Sequence, residues 1–194
     1  MSGPVSETPV GEYLRALAST AAVPGGGSAA ALAGAMGCAL VSMVAKLSVK
    51  RAADAAGAQT LERLVPEADR LMERLLQLSQ EDVDAYREVV ATRRQRPGDR
   101  EALARVSQAA AEIPLQAARA AARAAELQRQ LKPLAWSMTA SDAEAAGLLL
   151  DTGLRAALAN VAINLPELEG EARLRIEADY ETLRKAAGGA APLV

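Results

Sequence analysis

Pro24-Gly25-Gly26-Gly27 opens onto an uncharged run over residues 29–45 that consists mostly of Ala, Gly, Leu, Val and Met. Small side chains let helix backbones approach closely, so a run of this kind belongs inside a helical bundle or at a subunit interface. It is short for a bilayer, carries Ser42 and ends at Lys46, so it is read as a buried helix and not a membrane span. The rest of the composition agrees. Hydrophobic residues make up 51%, but aromatics only 2%, with no Phe. The core must be built from Ala, Leu, Val, Ile and Met, which favours helices over sheets. The 194 residues are enough for a single domain with its own core.

The glycine-rich turn has two readings. A glycine turn at a helix start presents unpaired amides, and the helix dipole makes that end attractive to anions. Glycine also sits where nothing with a Cβ fits, so the turn can serve close packing alone. A phosphate-binding P-loop is excluded because no Gly-Lys-Ser/Thr follows. A dinucleotide fingerprint is excluded because the G-x-G-x-x-G spacing and a preceding strand are missing.

Other absences narrow the chemistry. There is no His, which removes imidazole catalysis and most zinc sites. The single Cys38 rules out an intrachain disulfide, fits a reducing cytoplasmic setting and reads as a small core residue. A net charge of −2 suggests neither nucleic acid nor an anionic membrane as partner. No basic start followed by an apolar block marks a signal peptide. Acid–base work falls to Asp, Glu, Lys, Tyr or water.

Helical periodicity runs through the chain. The expected helices cover about 6–18 with Ser6 or Thr8 as cap, 27–50, 58–93 with a kink at Pro66, 100–131 with Pro114 inside, a fifth from Thr139 or Ser141 to Asn164, and 168–187. Asp99 is placed to cap the fourth helix, and Gly188-Gly189 to end the last. Residues 188–194 are expected to fray. No strand pattern appears.

Two carboxylates interrupt apolar stripes. Leu71, Leu75, Leu78, Asp82, Ala85 and Val89 follow steps of four and three, so Asp82 falls on the apolar face. Met138, Asp142, Ala145, Leu149, Thr152, Ala156, Ala159 and Ile163 step the same way and place Asp142 on a second stripe. A buried carboxylate costs several kcal/mol unless it is paired, and its pKa rises toward neutrality. Such a group can give or take a proton at neutral pH. Asp142, near a helix start, can equally be a cap. Asn160 and Asn164 form an i,i+4 pair of amides suited to a ligand or to buried backbone groups. Pro114 in Glu112-Ile113-Pro114-Leu115 frees a backbone carbonyl inside a long helix.

These segments together resemble the cyclodeaminase/cyclohydrolase family of folate enzymes. That family includes the cyclodeaminase domain of formiminotransferase-cyclodeaminase and stand-alone methenyltetrahydrofolate cyclohydrolases. The likeness rests on Pro24–Ala31, on Asp82-Val83-Asp84-Ala85-Tyr86, on Glu112-Ile113-Pro114-Leu115, on Ser141-Asp142, and on Asn160-Val161-Ala162-Ile163-Asn164-Leu165, in the family's order.

The resemblance implies an all-α, single-domain bundle of five to six helices that forms a homodimer, and the small residues of the Ala/Gly-rich helix make it the expected dimer interface. It implies Asp82 and Asp142 as catalytic carboxylates. It implies a tetrahydrofolate site formed by Gly25, Gly26, Gly27, Ser28, Lys50, Tyr86, Asn160 and Asn164, with no metal and no cofactor beyond the folate substrate. The reaction would be cyclodeamination of formimino-tetrahydrofolate or hydrolysis of 5,10-methenyl-tetrahydrofolate, the former coupled to a formiminotransferase on a separate chain. The alternative is an inactive dimerisation or scaffold module that keeps the fold, in which Asp82 pairs with an Arg and no polar cleft exists. One position departs from the family pattern: Ala135-Trp136 stands where relatives carry Gly-Asn before the Ser-Asp pair.

Overall fold

The structure, a computed structural model, describes residues 3–189. Among these the chain forms six α-helices: α1 (Val10–Leu17), α2 (Gly26–Val49), α3 (Ala55–Gln95), α4 (Arg100–Leu131), α5 (Ala140–Asn164) and α6 (Gly170–Ala186). Single 3-10 turns at Val5–Glu7, Lys132–Leu134, Ser137–Thr139 and Leu165–Glu167 complete the path. The described residues contain no strand, and the architecture is the all-α bundle that the composition and periodicity predict.

The alanine- and glycine-rich α2 is the central helix and packs against α3, α4 and α5. It buries Ala30, Ala31, Ala35, Cys38, Val41, Val44 and Ala45. Burial pushes the Cys38 thiol up to about 12, which fits an inert core residue. The backbones of α2 and α5 nearly touch. A Cβ on Gly153 would stand 2.8 Å from the Gly34 amide nitrogen and 3.0 Å from the Ala30 carbonyl oxygen. A Cβ on Gly37 would stand 2.6 Å from Leu150 Cγ. Backbone cannot rotate away as a side chain can. Gly153→Ala is therefore expected to destabilise by about 2 kcal/mol, seen as a Tm lower by roughly 4–8 °C in a thermal melt.

Helix ends follow local chemistry. Asp99 accepts from the Ala102 amide at 3.0 Å, as the Arg96-Pro97-Gly98-Asp99 turn predicts. Asp54 caps α3 through the Gly57 amide at 2.7 Å. After α6 the chain turns through Gly188 and Gly189, at φ 87° and 67°. Residues 190–194, part of the expected frayed tail, lie outside the described residues.

Two expectations need correction. The first helix does not run from 6 to 18. Thr8 precedes Pro9 and is held extended, at φ −77° and ψ 128°, so α1 begins only at Val10. Neither Ser6 nor Thr8 caps it, and the Thr8 hydroxyl donates back to the Pro4 carbonyl. In α5 the buried face is Ala143, Ala146, Leu150, Leu154, Ala157, Leu158 and Val161. The stripe through Asp142 lies beside that face, and its ends, Met138 and Ile163, are 72% and 62% exposed. Both stripes are apolar because α5 is apolar almost all round, so periodicity alone could not say which one meets the core.

Candidate active site

The first turn of α2 sits against the middle of α3. No side chain of its own turn caps α2, whose N-cap is Gly25. Asp82, reaching over from α3, occupies that end. A Cβ on Gly27 would lie 2.6 Å from Asp82 Cγ, so only glycine leaves room for the carboxyl group. A Cβ on Gly26 would lie 3.3 Å from the Asn160 amide. The two glycines thus admit side chains from two different helices to one helix start.

A cavity of about 410 Å³ opens there. Gly25 at the N-cap of α2 and Gly26 and Gly27 in its first turn line it, with Asp82, Tyr86 and Arg93 of α3, Ala110 of α4, Asn160 and Asn164 of α5, and Glu167 of the following turn. Burial raises the Asp82 pKa above the ordinary carboxylate range, and a hydrogen bond from the Ser28 amide opposes the rise. Among the described residues no Arg or Lys forms an ion pair with Asp82; the charge partners of α3 serve Glu81 and Asp84 instead. The carboxyl group is left facing the cavity with its pKa raised.

Pro114 explains the asparagine pair. A proline has no N–H, so the Ala110 carbonyl one turn earlier loses its helical partner. Asn164 Nδ2 donates to that carbonyl at 3.1 Å and to the Asn160 carbonyl at 2.8 Å. Asn160 Nδ2 donates to the Ala156 carbonyl at 2.8 Å. With both NH2 groups engaged on backbone, the amide oxygens remain for whatever enters the cavity. Glu112 of the same proline segment points elsewhere: it pairs with Arg119 at 3.1 Å and with Arg175 at 2.7 Å, tying α4 to α6.

Seven of the ten expected site residues therefore converge: Gly25, Gly26, Gly27, Asp82, Tyr86, Asn160 and Asn164. Three do not line the cavity. The Ser28 side chain is fully buried and turned away, bonded to Tyr13 and Ser79. Lys50 follows the far end of the 24-residue α2, roughly 36 Å from Gly26 at about 1.5 Å per residue. Asp142 lies in the first turn of α5, about 27 Å along the axis from Asn160 by the same rise. It does not cap α5, whose N-cap is Thr139. Trp136 belongs to that distant end too, its ring stacked 3.7 Å from the Arg51 guanidinium and its amide donating to Ser48 Oγ.

Sequence reading missed the cation of the site. Arg93 continues the stripe from Asp82 through Tyr86 and Val89 in steps of four, three and four, and that extension was the available signal. Its guanidinium donates to Glu167 at 2.8 Å across the rim. Tyr13 and Ser79, behind Asp82, carried no such signal.

An unpaired carboxylate aimed at a glycine-lined helix start, beside a cavity free of imidazole, is an arrangement able to bind a small molecule and exchange a proton with it. The pattern of the formiminotransferase-cyclodeaminase family matches residues 9–180, and the chain belongs to that family. It is 32% identical to a methenyltetrahydrofolate cyclohydrolase of Methylorubrum extorquens, over 89% of this chain and 94% of that protein. It is 30% identical to the formimidoyltransferase-cyclodeaminase of Sus scrofa over 84% of this chain, which spans only 32% of that longer protein. The crystal structure of a formiminotetrahydrofolate cyclodeaminase from Thermotoga maritima superimposes with a TM-score of 0.81 at 25% identity, covering 95% of this chain and 98% of that one.

Proposed function

We propose that the protein acts at the one-carbon bridge of a tetrahydrofolate, as a 5,10-methenyl-tetrahydrofolate cyclohydrolase. The observation that carries this reading is Asp82: half-buried, without a cationic partner, its pKa raised, and set against the α2 amides beside a cavity of folate-fragment size. Water adds to the methenyl carbon while the Asp82 carboxylate takes its proton. The C–N5 bond then breaks, N5 is protonated, and 10-formyl-tetrahydrofolate leaves. The carboxylate also stabilises the cationic amidinium it faces. A carboxyl group and water suffice for this step.

The near-complete coverage of the Methylorubrum cyclohydrolase favours hydrolysis. The Thermotoga neighbour favours a second reading, closure of 5-formimino-tetrahydrofolate with loss of ammonia. In that case Asp82 carries the proton from N10 to the departing nitrogen, and the substrate comes from a formiminotransferase on another chain. Asp82 with no ion-pair partner and a polar cavity around it both speak against the inactive scaffold. One cuvette separates the readings. Asp82-dependent loss of the methenyl absorbance band supports hydrolysis. Appearance of that band from the 5-formimino compound supports cyclodeamination. Neither change overturns both.

Arg93 is the cation placed to meet the carboxylates of the substrate's glutamate end, exchanging Glu167 for them. Arg93→Ala is expected to raise KM about tenfold with kcat within about twofold, measured by steady-state kinetics.

We also propose that a second copy of this chain covers α2 and α5. Met36, Met43 and Leu47 lie exposed along one stripe of α2. Gly153 meets Gly34, and Gly37 meets Leu150. A step of about 100° per residue then turns this stripe and the 138–163 stripe of α5 to the same side. Sedimentation should give a dimer, and Met43→Asp a monomer.

A further inference from the structure

Behind Asp82 lies a set of buried hydroxyls that the chemistry above does not use. The Tyr13 hydroxyl of α1 is 3.1 Å from Ser28 Oγ, and Ser28 Oγ is 2.7 Å from Ser79 Oγ. The Ser79 hydroxyl donates to the Ser28 carbonyl at 3.1 Å. Each hydroxyl has one proton to give, and the three groups are joined end to end, from Tyr13 through Ser28 to Ser79 and back to the Ser28 backbone. The chain grips one residue from both sides, and the amide of that residue is the hydrogen-bonding partner of Asp82.

We propose that Tyr13 and Ser79 are positioning residues for Asp82, holding the Ser28 amide on its carboxylate through this buried hydroxyl chain. The inference rests on the reading of Asp82 as the acid–base group. It gives α1 a role: Tyr13 of the short helix clusters with Val5 of the preceding 3-10 turn and Val83 of α3, which delivers a phenol beneath the site. Burial first, and the Asp82 charge further, raise the Tyr13 pKa against the opposing Ser28 and Ser79 bonds, so the phenol enters the chain with its proton.

Loosening the Ser28 amide removes a bond that favours the charged carboxylate, so the Asp82 pKa moves further up. Other groups facing Asp82 stay in place: Arg93 on α3 itself and Glu167 after α5, which hold each other, while α4 and α5 add only Ala110, Ile163 and the two uncharged asparagines to the cavity.

Tyr13→Phe and Ser79→Ala are each expected to lower kcat about tenfold with KM within about twofold, and to move the acid limb of the kcat profile to higher pH. The double variant should be little worse than either single one, because the chain acts as a unit. Leu17→Ala, which loosens the packing of α1 without touching a hydroxyl, serves as control. A carboxyl-carbon NMR titration of Asp82, assigned by its loss in Asp82→Asn, reads the same shift without turnover. If Tyr13→Phe leaves that titration unmoved, or Leu17→Ala moves it equally, the proposal is overturned. If the wild-type protein turns over neither folate, the functional reading fails, and the titration still decides the positioning role.

Discussion

Asp82→Asn is expected to lower turnover by about 10²–10⁴-fold while leaving the fold intact, because it removes the proton acceptor but keeps the shape and the contact with the Ser28 amide. Stability should respond in the opposite sense. The folded pKa of Asp82 is raised by burial, so the folded state binds a proton that the unfolded state has released. Wild-type stability therefore falls as pH rises from the ordinary Asp value through the folded pKa. An amide at this position does not titrate. Relative to wild type, the variant's Tm should rise as pH climbs from the ordinary Asp value through the raised folded pKa, as read in paired thermal melts. A structural carboxylate, paired with a cation, would show the reverse: a lowered folded pKa, and a variant that loses stability as pH rises. Loss of turnover with a gain in relative stability at high pH is the signature of a group retained for chemistry.

Gly27→Ala is expected to damage both turnover and stability. The new Cβ falls 2.6 Å from Asp82 Cγ, with the Ser28 side chain locked behind it. Either the first turn of α2 shifts or the carboxyl group is expelled from its seat. The expected result is turnover reduced by more than about 10²-fold, as for a misplaced catalytic group, and a stability loss of about 1–3 kcal/mol from overpacking. Kinetics and a denaturant titration on one preparation separate the two effects. Gly26→Ala is the graded comparison. Its Cβ meets the Asn160 side chain at 3.3 Å, and a side chain can yield where a seated carboxyl group cannot.

Much of this arrangement is readable from the residue order. Period-3.6 patterning placed α2 to α6 within a few residues of their observed ends, because strong apolar faces, Asp99 and the terminal glycines act locally. The same periodicity put Asp82 on the inner face of α3, where the structure has it. It failed on α5. There the 138–163 and 143–161 stripes are both apolar, and only packing against α2 and α4 selects the second. Motif likeness gathered Lys50 and Asp142 into the site with Asp82. Helix length separates them, since each stands at the opposite end of a long rod from the glycine turn.

The sequence by itself determined that this is a helical protein built on close backbone contact, that no imidazole is available to it, and that Asp82 is a carboxylate set into an apolar face. Those properties follow from side-chain size, the missing imidazole and a repeat that any short segment displays. Tertiary structure decided which groups share a cavity. It brought Arg93 and Glu167 to the rim, withdrew Ser28 into a hydroxyl chain with Tyr13 and Ser79, and gave the carbonyl freed by Pro114 to Asn164. These pairings span 15 to 74 residues of sequence, and they arise from how rigid helices cross, which no local pattern encodes.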